Sequence, residues 1–187
     1  MAIKIYIDQG HNPVNPNAGA EGNGLREQDI VYRIGIELAA LLQNDGRFDA
    51  RLSRPTADTQ VGSSLSDSLR TRVSDANSWG ADYFISLHTN ASDIESASGI
   101  EGYAYARPSR AFSLGEDIVR ALINETGLPN RGMKVRTNLY VLRKTAMPAV
   151  LIELGFITNP GDAFLMSEQP ELFARGIYEG ILSYLGY

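Results

Sequence analysis

Ala81-Asp82-Tyr83-Phe84-Ile85-Ser86-Leu87-His88-Thr89-Asn90-Ala91 decides how the rest of the chain is read. Its centre, Tyr83 to Leu87, is a short apolar run and reads as a buried strand ending at His88. Just before it, Leu69, Val73, Ala76 and Trp79 recur with helical period, and Ser66 or Asp67 is placed to cap that helix. A helix feeding a buried strand is the unit of an α/β fold, and the same alternation extends in both directions.

Towards the N-terminus, Ile3, Ile5 and Ile7 alternate with polar or aromatic neighbours and predict a first strand. The fifteen residues from Gly10 to Gly24 are rich in Gly, Asn and Pro. An irregular stretch of that length inside a compact domain usually carries function. Glu27 to Asn44 predicts a helix on Ile30, Val31, Ile34, Leu38, Leu41 and Leu42, ended by Asp45-Gly46. Phe48 to Ser53 predicts a strand, and Arg54 to Ser66 a polar surface loop.

Towards the C-terminus, Glu101 to Ala106 is a candidate strand. Leu114, Ile118, Leu122 and Ile123 line a helix closed by Gly127 and Pro129. Leu139 to Leu142 and Ala149 to Ile152 read as two further strands. Pro160 to Tyr187 reads as helical, with Leu172, Ile177, Ile181 and Leu185 apolar. The expectation is one α/β layered domain with a mixed, mostly parallel sheet flanked by helices. There is no repeat, low-complexity stretch or linker.

Composition narrows the function. The 187 residues include 17 Lys+Arg, 22 Asp+Glu, two His and no Cys, for a net charge of −5. The length suits one domain, which buries roughly 70% of its unfolded surface and needs no staple. An acidic chain with no basic run is not built to hold nucleic acid through phosphates. The absence of Cys excludes thiol nucleophiles, iron–sulfur clusters, thiolate zinc sites and disulfides. Any metal must sit on His, Asp and Glu. No segment approaches the roughly 18 apolar residues of a membrane span, so no membrane insertion is expected. Met1 to Asp8 is not followed by an apolar signal core. That leaves two expectations: cytoplasmic synthesis with later release, or a fragment of an exported protein.

In α/β sheets, ligands bind beyond the carboxyl ends of strands. His11 follows the first strand, His88 ends the Tyr83–Leu87 strand, and Glu153 follows Ala149–Ile152. Each alone reads equally as a hydrogen-bonded loop residue or surface charge; together they describe one site. Two neutral imidazoles and a carboxylate form a catalytic zinc set with one open position. Glu21, Glu27 and Asp29 are candidates for the acid. Glu27 is slightly ahead, because a helix start fixes its backbone, although a first-turn carboxylate is favourable there for the helix dipole alone.

The chain resembles the zinc-dependent N-acetylmuramoyl-L-alanine amidases of the amidase 3 type over nearly its whole length. Ile7-Asp8-Gln9-Gly10-His11 is similar to the family's opening strand and first metal His, and Gly24-Leu25-Arg26-Glu27 to its Gly-x-x-Glu segment. Leu69-x-x-Arg72-x-x-x-Ala76-Asn77 with Ala81–Ala91 resembles the central block ending in the second metal His. Gly99-Ile100-Glu101-Gly102-Tyr103 resembles the next strand, and Pro148–Pro160 the block with the catalytic Glu. Gln9, Asn12 and Asn15–Asn17 depart from the family's pattern and bear on loop shape.

The resemblance implies a single catalytic domain over 1–187, with peptidoglycan as partner. The bond is the amide between the lactyl group of N-acetylmuramic acid and L-alanine. One zinc per chain would sit on His11, Glu27 and His88. Glu153 would take a proton from water and return it to the leaving amine. Asn90 would donate to substrate or tie its loop. Asp8 would orient a ligand His or cap the loop, and the Gly10–Gly24 loop would wall the groove. The chain is expected to be a monomer. Rival expectations are a non-catalytic peptidoglycan-binding module and a zinc peptidase cutting within the stem peptide. A nucleotide-binding α/β protein is disfavoured, because no phosphate fingerprint follows the first strand. A phage endolysin, an excised autolysin domain and a sporulation enzyme all fit.

Overall fold

A computed structural model describes residues 2–187. β1 (Ile3–Gln9) leads through a long loop and a small hairpin, β2 (Glu21–Gly22) and β3 (Leu25–Arg26), into α1 (Glu27–Asn44). Next come β4 (Phe48–Leu52), α2 (Leu65–Trp79), β5 (Tyr83–Asn90), β6 (Ile100–Ala104) and α3 (Arg110–Thr126). The chain then forms β7 (Asn130–Val135), α4 (Tyr140–Lys144), β8 (Ala149–Phe156), α5 (Pro160–Glu168) and α6 (Pro170–Leu185).

The main sheet has the order β4-β1-β5-β8-β6-β7. β4, β1, β5 and β8 run parallel; β6 is antiparallel to β8, and β7 is parallel to β6. The sheet is therefore mixed and mostly parallel, as the alternation of elements predicts.

Alternation along each strand gives the sheet two unlike faces. Ile5, Ile7, Ile85, Leu87, Val150 and Ile152 point to one side, in the large core built with α1, α3 and α6. Tyr6, Phe84, Tyr103 and Leu151 point to the other, in a smaller core with α2 and α4. Most of the apolar side chains named here are under 2% exposed, and burying each is worth about 1.5–3 kcal/mol. A one-residue slip would carry this whole set to the wrong face, so the register is firmly held. On the α2/α4 side that register sets Asp8 opposite Ser86, His88 opposite Glu153, and Glu153 opposite Glu101.

Several local expectations are corrected. Leu139–Leu142 is not a strand: Tyr140–Lys144 forms α4, with Leu139 as its extended N-cap. A four-residue apolar run has no readable period. Here Val141 and Leu142 bury one helical face, while Arg143 and Lys144 complement the last turn's dipole. The α2 cap is Ser64, whose hydroxyl accepts from the Asp67 N–H at 3.1 Å, and not Ser66 or Asp67. The C-terminal stretch is two helices, because Pro170 cannot continue α5 and opens α6. β7 and the β2–β3 hairpin are additional to the strands that the sequence pattern predicts. β7 is an edge strand carrying Arg131, Gly132 and Lys134, with none of its residues fully buried, so it lacks the apolar alternation that marks a strand.

Candidate metal centre

β1 and β5 are both longer than their apolar cores suggest, and their ends place the two histidines. His88 lies within β5, on the same face as Ser86 and Phe84. His11 follows β1 at a backbone φ of 65°, a left-handed conformation uncommon for a residue with a Cβ. Arg72 of α2 holds that turn. Its guanidinium donates to the Gln9 carbonyl at 2.6 Å, to the His11 carbonyl, and to Asn12 Oδ1 at 3.2 Å.

Glu27 meets both histidines from the first turn of α1. Its Oε1 lies 3.1 Å from His11 Nε2 and 3.0 Å from His88 Nδ1. The carboxylate is also held by backbone donors: Thr89 N–H to Oε1 and Ala20 N–H to Oε2, both at 2.9 Å. One donor atom from each of the three residues falls within a 4.8 Å group. Burial pushes the Glu27 carboxyl up, but the two imidazoles outweigh it and hold it well below the usual carboxylate range. Burial lowers His88, and the Glu27 carboxylate overcomes that to raise it.

Two glycines make room for this convergence. A Cβ on Gly10 would stand 2.5 Å from His88 Cε1. One on Gly19 would stand 2.8 Å from Glu27 Oε2 and 2.9 Å from His11 Cδ2. These are contacts that real side chains do not make, so the rings and carboxylate occupy space that only glycine leaves open.

Two imidazoles and one carboxylate, with no thiolate, are a donor set that zinc accepts, usually keeping a fourth position for water or substrate. Ligands at about 2.0–2.2 Å from one tetrahedral ion lie roughly 3.3–3.6 Å apart. The 3.0–3.1 Å contacts of Glu27 need only a small expansion to reach that spacing. The residues therefore fit a zinc ion. Glu21 is elsewhere, exposed and paired across the hairpin with Arg26. Asp29 is exposed and lies 3.5 Å from Arg26.

Glu153 sits beside His88 on the next strand. Its Oε2 is buried and has no hydrogen-bond partner among the described residues, in contrast to nearly all buried polar atoms in folded proteins. Burial pushes its carboxyl up to about 7; Glu27 and Glu101 add to this, against His88 and Arg136.

Asn90 donates from Nδ2 to Glu101 Oε1 at 2.9 Å and accepts from Ala91 N–H at 3.0 Å. One amide hydrogen remains for another partner. Asp8 does not reach a histidine. Its two oxygens are taken by Arg72, at 2.6 Å, and the Ser86 hydroxyl, at 2.7 Å. Burial raises the Asp8 carboxyl, but Arg72 and Ser86 hold it below its ordinary value.

A cleft of about 270 Å³ opens beside the histidines, walled by Leu69, Leu139, Tyr140 and Leu151. The sequence pattern did not single out Arg72 or Glu101 as parts of the site. Both fall inside segments that resemble the family, Arg72 on an otherwise apolar helix face and Glu101 within a strand, but only their burial shows what they hold.

Comparison with known proteins follows the same lines. The family model described as N-acetylmuramoyl-L-alanine amidase (amidase 3) matches residues 5–183. The N-acetylmuramoyl-L-alanine amidase CwlM of Bacillus licheniformis is 35% identical over 182 residues, covering 96% of this chain and 67% of the relative. The sporulation-specific N-acetylmuramoyl-L-alanine amidase of Bacillus subtilis is 36% identical with the same coverage. Among solved structures, an N-acetylmuramoyl-L-alanine amidase from Clostridium difficile 630 superposes with a TM-score of 0.88 at 30% identity, covering 99% of this chain and 97% of that one.

Proposed function

This chain belongs to the amidase 3 family of N-acetylmuramoyl-L-alanine amidases, and from that premise we propose that His11, Glu27 and His88 hold one zinc ion for peptidoglycan hydrolysis. The bond cleaved joins the lactyl group of N-acetylmuramic acid to L-alanine. Residues 1–187 act as one catalytic domain on the cell wall. No helix among the described residues is long and apolar enough to cross a membrane.

The observation that carries this reading is a buried carboxyl with a free oxygen, Glu153, set next to three converging metal donors. When bound, zinc supplies Lewis acidity, which polarises a carbonyl and brings the pKa of water to about 7. Glu153 supplies the proton transfers. Its carboxylate takes a proton from the attacking water and, once protonated, gives it to the amine as the C–N bond breaks. A value near 7 in the metal-free chain suits both roles. A nearby cation lowers that value and favours the base form at the start of the cycle. Thr89 and Ala20 orient Glu27 through their N–H groups, as outer partners of metal ligands do. Asn90 offers its remaining amide hydrogen to substrate, and the Leu69–Tyr140 cleft receives an apolar part of it.

Mass spectrometry of digested peptidoglycan tests the reading. The expected products are a muramic lactyl carboxylate and an intact stem peptide with a free L-alanine amine, formed by the zinc-loaded protein and lost with a chelator. Shortened stem peptides would instead indicate a peptidase. Wall binding without any product would leave a binding module.

A further inference from the structure

The row of side chains that carries the site continues beyond Glu153. The metal donors lie just after β1, at the start of α1 and on β5; Glu153 on β8 is level with Glu101 on β6, Tyr103 lies two residues further along β6, and Arg136 comes directly after the edge strand β7. Three cations line this far end. Two share the single carboxylate of Glu101: its Oε2 pairs with Lys134 Nζ and lies 3.4 Å from Arg131 Nε. Arg136 differs. Among the described residues no carboxylate lies within ion-pair distance of it.

Arg136 is nevertheless well placed. Its N–H donates to the Ala104 carbonyl at 2.9 Å, which ties its backbone to β6. Its guanidinium lies over the Tyr103 ring, 5.0 Å from the centroid. Tyr103 is itself fixed, 7% exposed and donating its hydroxyl to Glu101. Because Tyr103 faces the same side of the sheet as Glu153, so does the cation resting on it. Its charge reaches Glu153: burial raises that carboxyl most, and Arg136 is among the groups that oppose the rise. The Tyr103 hydroxyl engages at most part of the fork, and the remaining guanidinium N–H donors are open to a planar anion.

The direction of the substrate follows from the proton path. Glu153 must reach the leaving amine, while the acyl carbon faces the His11, Glu27 and His88 side. The peptide attached to that amine then runs over β6 towards β7. We infer that Arg136 receives a free carboxylate on this peptide arm and selects substrates with an acid, over a carboxamide, close to the scissile bond. In a chain of net charge −5, such an anion needs a local cation to be drawn in. This rests on the amidase reading above.

The test uses two synthetic muramoyl dipeptides that differ only in a free carboxylate or a carboxamide on the second residue. The zinc-loaded protein should cleave the acid with a kcat/KM roughly 10- to 100-fold higher, the scale of a charge-assisted hydrogen-bond pair. The preference should reside in KM, because this contact holds ground state and transition state alike. Arg136→Gln should bring the acid-to-amide ratio close to one, and Arg136→Lys should keep part of it. A purely structural role for Arg136 would slow both substrates together and leave the ratio intact. A wild-type ratio near one, or a full ratio in Arg136→Gln, overturns the inference while leaving the amidase reading in place. Failure of that reading looks different: neither compound yields a free lactyl carboxylate. Calorimetric binding of the uncleaved pair then decides for Arg136, and equal affinities overturn its role.

Discussion

Glu27 is the residue on which the proposed metal site closes. It touches both imidazoles with one oxygen and is held by two backbone donors. Glu27→Ala should take zinc content from about one per chain to a small fraction of that, since a charged ligand is lost from a three-residue set. Glu21→Ala, out on the hairpin, should leave zinc unchanged; metal analysis of the two purified variants checks this, and the reverse result would move the third ligand into the loop. Glu153 separates chemistry from binding. Glu153→Gln keeps shape and zinc but cannot accept a proton, so turnover should fall roughly 100- to 10,000-fold. On the proposed mechanism the active form is the carboxylate, so kcat/KM should decline as pH falls through its pKa. That value is about 7 without metal, and a bound cation places the acid limb lower. A pH profile of wild type and variant checks the sign: residual Glu153→Gln activity with an unchanged acid limb would remove Glu153 from the proton path.

At the scale of elements, α2 matters to the site through one side chain. Arg72 is 1% exposed and crosses to the ends of β1, where it binds Asp8, the Gln9 and His11 carbonyls and Asn12. Removing one partner of such a buried pair costs about 3–5 kcal/mol, because the other charge is left without compensation. Arg72→Met should therefore lower the melting temperature by roughly 6–20 °C and reduce zinc affinity, as His11 loses the donor that holds its turn. The pH dependence has a definite sign. Asp8 has a native pKa below its ordinary value, so its contribution is complete above the unfolded value of about 3.9 and is lost as pH falls through the lower native one. The gap in melting temperature between wild type and Asp8→Asn should be constant from pH 7 to about 5 and should begin to narrow as pH falls below about 3.9; a gap that widens toward acid would overturn the sign.

The whole molecule folds around a site whose charges repel without a cation: Glu27, Glu153 and Glu101 lie on adjacent elements, and their mutual repulsion helps to raise Glu153. Metal binding should therefore stabilise the entire domain. Free zinc at one hundred times its dissociation constant adds about 2.7 kcal/mol, or roughly 5–11 °C in melting temperature for a chain of this size. Calorimetry of chelated and zinc-loaded protein checks this. The same comparison on Glu27→Ala should show no shift, and an undiminished shift there would place the ion elsewhere.

What the sequence determined by itself was the pattern that each local segment enforces. Ile3, Ile5 and Ile7 alternate because one strand has two faces; Ile30 to Leu42 recur because α1 buries one stripe. Tyr83–Leu87 and Ala149–Ile152 are too short and apolar to be anything but buried. Those periods lead to an α/β layered sheet, and the positions after the strands lead to His11, His88 and Glu153. Spacing alone could not choose between Glu21, Glu27 and Asp29, because their distance from the histidines is a matter of how α1 lies against β1 and β5. The resemblance of Gly24–Glu27 to a family segment favours Glu27, and the tertiary structure brings Glu27, and neither of the other two, against both histidines; it also pairs Asp8 with Arg72 in place of a histidine. It also decided α4, since Leu139–Leu142 carries no period and takes its conformation from the apolar surface it covers. The row His88, Glu153, Glu101 is not contiguous in the chain. It exists only because β5, β8 and β6 pair in one register, and register is a long-range property that no single segment contains.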